Sequence, residues 1–225
     1  MGWVSIVVPV KNGLKRTKQI LEQLRDLDIE KEIIIIDDNS DKETKERLVE
    51  QQDIRLFTYD YDVGVNQSRN IWYEEAKYNK VLIINNDLLF TPWCVEKLIK
   101  ALDDYDIVSP WTTEWPRKFE LPVVMRKANI CGRCYGVRKW LSCFPIPTEL
   151  DLFYGDDYIR QMTDKSRIGE IPEVVVHHFV SSTIGLDWKR SQDVEERIAW
   201  DTYEYAKMCH EKGWDDLRFN DIKWE

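Results

Sequence analysis

The sequence has little of what marks a membrane protein, a disulfide-stabilised protein or a repeat protein. No stretch approaches the run of about 18 apolar residues that spans a bilayer, and the N-terminus lacks the basic-then-apolar layout of a signal peptide. The five cysteines are odd in number and scattered, which argues against a disulfide framework. No internal repeat, low-complexity tract or linker interrupts the 225 residues. We therefore expect a single globular domain, 1–225, with a cytoplasmic location.

Positive charge is outweighed by negative charge. The chain has 32 Lys and Arg against 41 Asp and Glu, which gives a net charge of -9 near neutral pH. A surface of this sign argues against general binding to polyanions. Hydrophobic residues make up 43% of the chain, so a protein of this length can bury a sizeable core.

Strand and helix patterns alternate from residue 4 to about residue 108. Short apolar runs typical of buried parallel strands lie at 4–10, 32–36 and 81–84, and helical spacing of apolar residues follows the first of them. This alternation predicts an α/β fold with a mostly parallel sheet and right-handed crossovers.

The second half of the chain is less regular. Residues 111–139 contain two prolines and at least one predicted strand or hairpin, and residues 140–154 have a loop-like composition. We expect a short helix near 158–163, a last strand at 174–176 and a helical tail over 192–211.

Four polar clusters stand at the ends of predicted strands or loops: Asp37–Asp38, Asn86–Asp87, Asp156–Asp157 and His177–His178. Because parallel strands end at one edge of a sheet, at least the first two clusters should be neighbours. Asp87 is well placed to bind a divalent metal, since hard cations prefer oxygen ligands. Each cluster also has an ordinary structural alternative: a turn, a helix cap, or histidines of the surface or core.

Six segments in a fixed order carry a family resemblance: Val4–Asn12, Glu32–Ser40, Gly64–Asn70, Asn85–Asp87, Cys131–Lys139 and Gly155–Asp157. In this order they resemble the family 2 inverting glycosyltransferases of GT-A fold, which use nucleotide-activated sugars. The resemblance covers about residues 3–185. It implies a nucleotide-sugar-binding half (1–108) of Rossmann type, a smaller mixed acceptor and catalytic half (109–185), and a C-terminal helical tail (186–225).

The resemblance also assigns roles to individual residues. The second-strand aspartates would reach the base and ribose of the nucleotide, and the arginine of the third segment would close over it. The implied nucleotide-sugar site consists of Pro9, Asp37, Asp38, Asn66, Arg69 and Asn86.

The metal and the catalytic base are implied in the same way. Asp87 stands where the family binds Mn²⁺ or Mg²⁺, and His177 matches a downstream histidine that completes the metal site, with His178 left open as the alternative. Asp156 and Asp157 correspond to a Glu-Asp pair that supplies the base, and Asp157 is the predicted base.

Two departures from the family pattern affect these assignments. The metal motif Asn85-Asn86-Asp87 has one carboxylate where the family has two. An amide oxygen binds a metal without adding charge, so we expect modest metal affinity in the absence of the donor diphosphate. Asp156 replaces a glutamate, which leaves open which of the two aspartates acts as the base.

The implied reaction is a single in-line displacement. Asp157 would take the proton of the acceptor hydroxyl as that oxygen attacks the anomeric carbon with inversion. The metal on Asp87 would stabilise the departing diphosphate. A uridine nucleotide is the favoured donor, with guanosine and thymidine carriers left open.

One basic segment suggests an acceptor class. Residues 111–140 hold seven Lys and Arg against two Glu, a local charge of +5, and aromatic residues lie between the cations. In the family this segment borders the acceptor cleft, so the acceptor is predicted to be a glycan or a nucleic-acid base. The same charges could instead neutralise the acidic body of the protein or hold donor phosphates.

Three alternatives remain open at this level. A nucleotidyltransferase acting on a sugar phosphate would also bind nucleotide and metal at a sheet edge, but the loop after the first strand has only one glycine. A catalytically inactive sugar-nucleotide-binding module would explain the thinned metal motif. Cys131, Cys134 and Cys143 could form a zinc site, although no second Cys-x-x-Cys exists.

Overall fold

The computed structural model of the chain describes residues 3–115, 124–126, 130, 132–179, 192–216 and 218–219. The strands in these residues are β1 Val4–Val10, β2 Lys31–Asp37, β3 Arg55–Thr58, β4 Lys80–Ile84, β5 Leu88–Leu89, β6 Ile107–Trp115, β7 Val124–Arg126, β8 Cys134–Arg138 and β9 Ile168–Phe179. The α-helices are α1 Leu14–Arg25, α2 Lys42–Val49, α3 Val65–Glu75, α4 Pro92–Ala101, α5 Gly155–Met162 and α6 Gln192–Lys212.

The strands form one mixed sheet in the order β3-β2-β1-β4-β8-β6-β9-β5, with β7 paired to β6. β1 pairs in parallel with β2 and β4, and β2 pairs in parallel with β3. β8 runs antiparallel to β4 and β6, while β9 runs parallel to β6. The predicted α/β class with a mostly parallel first half is confirmed, and β8 is the strand at which the sheet becomes mixed.

Helices cover both faces of the sheet because successive residues of the central strands point to opposite sides. Ile6 of β1 packs in one apolar cluster with Leu98 of α4, which also includes side chains of α1 and α2. Val7 packs in the other cluster with Trp72 of α3 and Tyr205 of α6. All five of these side chains are buried, and each contributes about 1.5–3 kcal/mol of hydrophobic stabilisation.

Two strands differ from the sequence-based expectation. The apolar run at 174–176 is only the last part of β9, which spans twelve residues. The two-residue β5 was not predicted, and it pairs antiparallel with the end of β9, so that Leu88 lies opposite His178 and Leu89 opposite His177. This pairing brings the paired histidines beside the turn that carries Asp87.

None of the described helices is both long enough and apolar enough to cross a bilayer.

Candidate active site

The candidate site lies at the edge of the sheet where the parallel strands end. β1 and β2 end side by side, since Val10 lies opposite Asp37. β4 ends at Ile84, directly before Asn85–Asp87, and the antiparallel β8 begins opposite it with Cys134. Open α/β sheets bind ligands at this edge, and the polar clusters after β2 and β4 both lie on it.

The two aspartates after β2 have different surroundings. Asp37 is fully buried, and its carboxylate accepts hydrogen bonds from the Ser40 N–H at 3.2 Å and the Thr58 hydroxyl at 3.1 Å. Asp38 Oδ1 accepts hydrogen bonds from the backbone N–H groups of residues 63 and 64. Asp37 therefore fixes the strand ends, while Asp38 lines the edge and has a second oxygen directed elsewhere.

A chain of ion pairs continues from Asp38 across the edge. Lys11 Nζ lies 3.7 Å from Asp38 Oδ2 and 2.7 Å from Asp62 Oδ2. Arg197 of α6 lies 3.7 Å from Asp62 and donates its Nε hydrogen to Asp151. The Lys11 hydrogen bond lowers the pKa of the Asp62 carboxyl, against a smaller opposing effect of burial. The C-terminal helix is thus tied electrostatically to the loop after β1.

Arg69 joins α3 to the helix that carries the predicted base. It is buried, and its two Nη groups donate to Asn66 Oδ1 at 2.9 Å and to the Gly132 carbonyl at 3.0 Å. A Cβ on Gly155 would lie 1.9 Å from Asn66 Oδ1, and one on Gly132 would lie 2.7 Å from Asp156 Oδ2. Glycine at both positions allows the start of α5 to pack against Asn66 and Arg69, and the loop before β8 to pack against Asp156 and Arg69.

Asn86 and Pro9 lie on the inner side of the same edge. Asn86 is buried, and its Nδ2 donates to the Asn12 carbonyl at 3.3 Å and to the Thr17 hydroxyl at 3.0 Å. Pro9 lies in β1 opposite Ile36 of β2. Asn86 therefore connects the turn after β4 to the loop and helix after β1.

Asp87 is paired with a histidine of β9. Its Oδ2 lies 3.3 Å from His178 Nε2, and both side chains are buried. The Asp87 carbonyl also accepts the Phe179 N–H at 3.0 Å, which holds the turn against β9. Because side chains alternate along a strand, His177 faces away from His178, so the geometry favours His178 as the partner of Asp87. The assignment of His177 to the metal stays a prediction.

The Asp87–His178 pair fits a divalent metal that uses substrate oxygens as further ligands. Neighbouring ligands of an octahedral metal with bonds of about 2.1 Å lie about 3 Å apart, close to the separation of these two atoms. His178 Nδ1 is buried and has no hydrogen-bond partner in the described part of the chain. No group of three or more His, Cys, Asp or Glu side chains among the described residues could hold a metal by itself. A metal here would take two protein ligands and complete its shell with water and phosphate.

The described residues likewise contain no group of cysteines and histidines that could bind zinc. Cys131 lies outside the described residues, and the described Cys134 and Cys143 are buried.

Asp157 lies at a small cleft of about 180 Å³, lined by Ile130, Asp156, Asp157, Arg160 and Arg218. Two Nη groups of Arg218 contact its carboxylate at 2.9 and 3.3 Å, and Arg160 lies 3.8 Å away. Burial raises the pKa of the Asp157 carboxyl, and the charge of Asp156 raises it further, although the hydrogen bond from Arg218 opposes both. A raised pKa is typical of a carboxylate that acts as a general base.

A buried carboxylate of α6, that of Asp201, holds the loop before α5. Asp201 is fully buried and accepts hydrogen bonds from three consecutive backbone N–H groups, at residues 151, 152 and 153, over 2.7–2.8 Å. The next residue, Tyr154, has a positive φ of 60° and leads directly into α5. Asp201 therefore sets the position from which Asp157 enters the cleft.

The basic segment 111–140 lies partly outside the described residues, and the part outside them includes Arg117, Lys118 and Lys127. Arg138 donates to the carbonyls of Leu102 and Asp103 at 2.6 and 2.7 Å, and Lys139 donates to the Glu74 carbonyl at 3.1 Å. Arg138 is the last residue of β8 and lies opposite the first residue of β4, and Lys139 follows it, so both are at the edge away from Asp87. Arg133 precedes β8 and lies at the site edge, where its carbonyl accepts the Asn85 N–H at 2.9 Å.

The family model for glycosyl transferase family 2 matches this chain over residues 5–140, which is more than half of its 225 residues. The chain belongs to glycosyltransferase family 2. The match ends before Asp156, Asp157, His178 and the whole of α6. No protein with a curated description matches the sequence.

Solved structures of GT-A glycosyltransferases share the fold of this family 2 protein. The mannosyltransferase PcManGT from Pyrobaculum calidifontis, in complex with GDP-Man and Mn²⁺, has a TM-score of 0.60 at 17% identity. The alignment covers 92% of this chain and 64% of PcManGT. S. aureus TarS 1-349 with UDP-GlcNAc has a TM-score of 0.63 at 15% identity, with 90% of this chain and 66% of that chain covered. The complex of TarS 1-349 with UDP has a TM-score of 0.65 at 15% identity, with coverage of 99% and 76%. The chain thus spans 64% of PcManGT and 66% or 76% of TarS 1-349, depending on the complex.

Sequence reasoning missed the residues that the C-terminal part contributes to this edge: Arg197, Asp201, Asp216 and Arg218. Arg218 is 61 residues from Asp157 and belongs to no motif that points to it. Asp201 had a detectable signal, since an acidic residue lies three positions after Ile198 on the apolar stripe of the predicted helix. An acid on a buried helix face needs hydrogen-bond partners.

Proposed function

We propose that this protein transfers a sugar from a nucleoside diphosphate sugar to an acceptor hydroxyl, with inversion at the anomeric carbon. The observation that carries the proposal is the contact of the Asp156–Asp157 helix with Arg69, at the edge that also holds Asp87 and His178. This contact supports a site in which the predicted nucleotide loop, the predicted metal pair and the predicted base act together.

The donor nucleotide is assigned to the ends of β1 and β2 and the start of α3. Asp38 has a carboxylate oxygen at the edge that can accept a hydrogen bond from a base imide or ribose hydroxyl. Arg69, already fixed by Asn66, adds positive charge beside the path of the diphosphate. Pro9 and Asp37 support the strand ends, and Asn86 borders the sugar diphosphate. We favour uridine as the nucleotide, in line with the UDP and UDP-GlcNAc bound to the structural neighbour TarS.

Asp87 and His178 would hold a Mn²⁺ or Mg²⁺ ion. When bound, such an ion neutralises charge on the diphosphate leaving group. The Mn²⁺ in the complex of the structural neighbour PcManGT supports this choice of metal.

Asp157 is the proposed general base, with Asp156 as its neighbour. The acceptor oxygen forms a bond to the anomeric carbon while the bond from that carbon to the diphosphate breaks and its electrons leave with the nucleotide. The proton of the acceptor hydroxyl passes to Asp157, whose raised pKa makes it a stronger base than an ordinary aspartate.

A glycan hydroxyl is the proposed acceptor, with a nucleic-acid base as the alternative. Of the described cations in segment 111–140, Arg138 and Lys139 are bound to carbonyls away from the cleft. Of these three cations with described side chains, Arg133 lies at the site edge.

The test is the product released from a panel of UDP-sugars and GDP-mannose, with and without Mn²⁺ and candidate glycans. The proposal expects metal-dependent release of the nucleoside diphosphate that increases with an acceptor. Release of pyrophosphate from a sugar phosphate and a nucleoside triphosphate would instead identify a nucleotidyltransferase. Tight donor binding with no release under any condition would identify an inactive binding module.

A further inference from the structure

The contact between Arg218 and Asp157 joins the end of the described chain to the proposed base. Arg218 follows α6 by six residues, and its Nη2 and Nη1 groups lie 2.9 and 3.3 Å from the two oxygens of Asp157. A guanidinium that contacts both oxygens of a carboxylate fixes the orientation of that carboxylate. The segment that carries Arg218 lies beyond the residues matched by the family model.

Arg218 is held in place independently of Asp157. Its Nη2 and Nε groups contact the two oxygens of Asp216 at 2.6 and 2.9 Å, and Asp216 is buried. Its guanidinium carbon also lies 5.2 Å from the ring centre of Tyr154 and 5.8 Å from that of Tyr205. Arg218 therefore presents a fixed positive charge to the cleft whether or not Asp157 is ionised.

The charged and titratable groups around Asp157 come from three elements. On α5 they are Asp156 and Arg160, and on the segment after α6 they are Asp216 and Arg218. On α6 the Tyr205 hydroxyl and the Cys209 thiol are near, and burial raises the pKa of both, so they stay neutral. Burial and Asp156 favour protonation of Asp157, and Arg218 is the largest influence in the opposite direction.

We infer that Arg218 is a positioning residue for the proposed base: it aims the Asp157 carboxylate into the cleft and keeps it ionised until the acceptor binds. The inference rests on the proposed function of Asp157. When Asp157 takes the acceptor proton it becomes neutral, and Arg218 keeps Asp216 as its counter-ion. The cation is therefore never left without a partner during the reaction, which an arginine with a single carboxylate could not achieve.

The inference is tested by Arg218→Gln, with Arg218→Lys as the conservative variant. Gln leaves a shorter, polar side chain without charge, whereas Lys keeps the charge but not the two-point contact. Arg47→Gln is the matched control, because Arg47 is exposed on α2 and pairs with Glu50 at 3.0 Å. Thermal melting of each variant verifies that the fold is retained.

Two readouts are measured as a function of pH: kcat/KM for transfer, and the ¹³C chemical shift of the Asp157 carboxyl carbon. The resonance of this carbon is identified by its absence from the spectrum of Asp157→Asn. We expect Arg218→Gln to raise the pKa of Asp157 and to lower kcat/KM roughly tenfold at the acidic end for each pKa unit gained. The donor KM should stay unchanged. Arg218→Lys should recover most of the acidic activity, and Arg47→Gln should match the wild type.

An unchanged pKa of Asp157 in Arg218→Gln would overturn the inference, as would an increase in activity, which would identify Arg218 as an inhibitory contact. The carboxyl titration does not require turnover. A shifted titration in a protein without transferase activity would therefore contradict the proposed function and leave the effect of Arg218 on Asp157 intact. If Arg218→Gln fails to fold, the titration is measured in Arg218→Lys, which loses the two-point contact and should shift the pKa of Asp157 in the same direction by a smaller amount.

Discussion

The donor side and the base side of the candidate site are stabilised by different parts of the chain. Asp37 and Asp38 are held by hydrogen bonds from residues 40–64, all within the segment that the family model matches. Asp157 and the loop before it are held by Arg218 and Asp201, from a segment that the family model does not match. A parallel sheet places the first group through its strand ends, whereas side chains of the C-terminal segment place the second.

This difference implies that the two sides can be disturbed separately. Changes at the ends of β1 and β2 should alter donor affinity first. Changes on α6 or after it should alter the chemical step while the donor still binds. Asp87 and His178 connect parts of the chain from both sides of this comparison, because Asp87 follows β4 and His178 lies near the end of β9.

The largest effect is expected for Asp87→Asn, which removes the only carboxylate of the metal motif. We expect transfer to fall at least about 100-fold, since the metal supplies several kcal/mol of leaving-group stabilisation. Mn²⁺ titration in the presence of UDP should show weakened metal binding. Asp60→Asn, an exposed carboxylate on the same half, is the control and should keep full activity. Undiminished transfer in the presence of chelator would contradict the metal assignment.

A smaller effect is expected for Asp201→Asn on α6. The amide turns one acceptor oxygen into a donor opposite backbone N–H groups, so we expect a loss of about 1–3 kcal/mol of unfolding free energy. Because the loop before α5 would shift, kcat should fall while the donor KM stays constant. Denaturant melting and steady-state kinetics measure the two quantities, and Glu195→Gln, exposed on the same helix, is the control. A change in donor KM without a change in kcat would contradict the separation of the two sides.

The sequence predicted the donor side more fully than the base side for a physical reason. Strand ends are encoded locally: an apolar run followed by Asp37 and Asp38 fixes both the strand and the position of its carboxylates. By contrast, β5 is only two residues long, so no alternation of apolar and polar residues could predict its pairing with β9. That pairing decides that His178 rather than its neighbour faces Asp87.

The contacts of the segment after α6 could not be predicted from the local sequence pattern either. Arg218 follows α6 in a short segment without periodicity, and its contact with Asp157 exists only once α6 has packed on the sheet. The segment was predicted as part of a helical tail, and its partners were not. Long-range polar contacts of this kind carry no sequence pattern of their own.

The smallest effect is expected for Asn85→Asp, which restores a second carboxylate to the metal motif. Affinity for Mn²⁺ without nucleotide should rise, because carboxylates add charge that amides lack. Donor affinity in saturating metal and the melting temperature should change little, since Asn85 is only half-buried. Calorimetric titration of Mn²⁺ measures the change. Unaltered metal affinity would mean that position 85 faces away from the ion.

The most direct test of the account compares Asp157→Asn with Asp156→Asn in one assay of donor binding and transfer. The account predicts that Asp157→Asn retains wild-type affinity for the nucleoside diphosphate and loses transfer by about 10²–10⁴-fold, the usual contribution of a general base. Asp156→Asn should retain more activity, with its acid limb moved to lower pH because the like charge that raises the pKa of Asp157 is removed. Transfer that survives in Asp157→Asn and is abolished only in Asp156→Asn would contradict the assignment of the base.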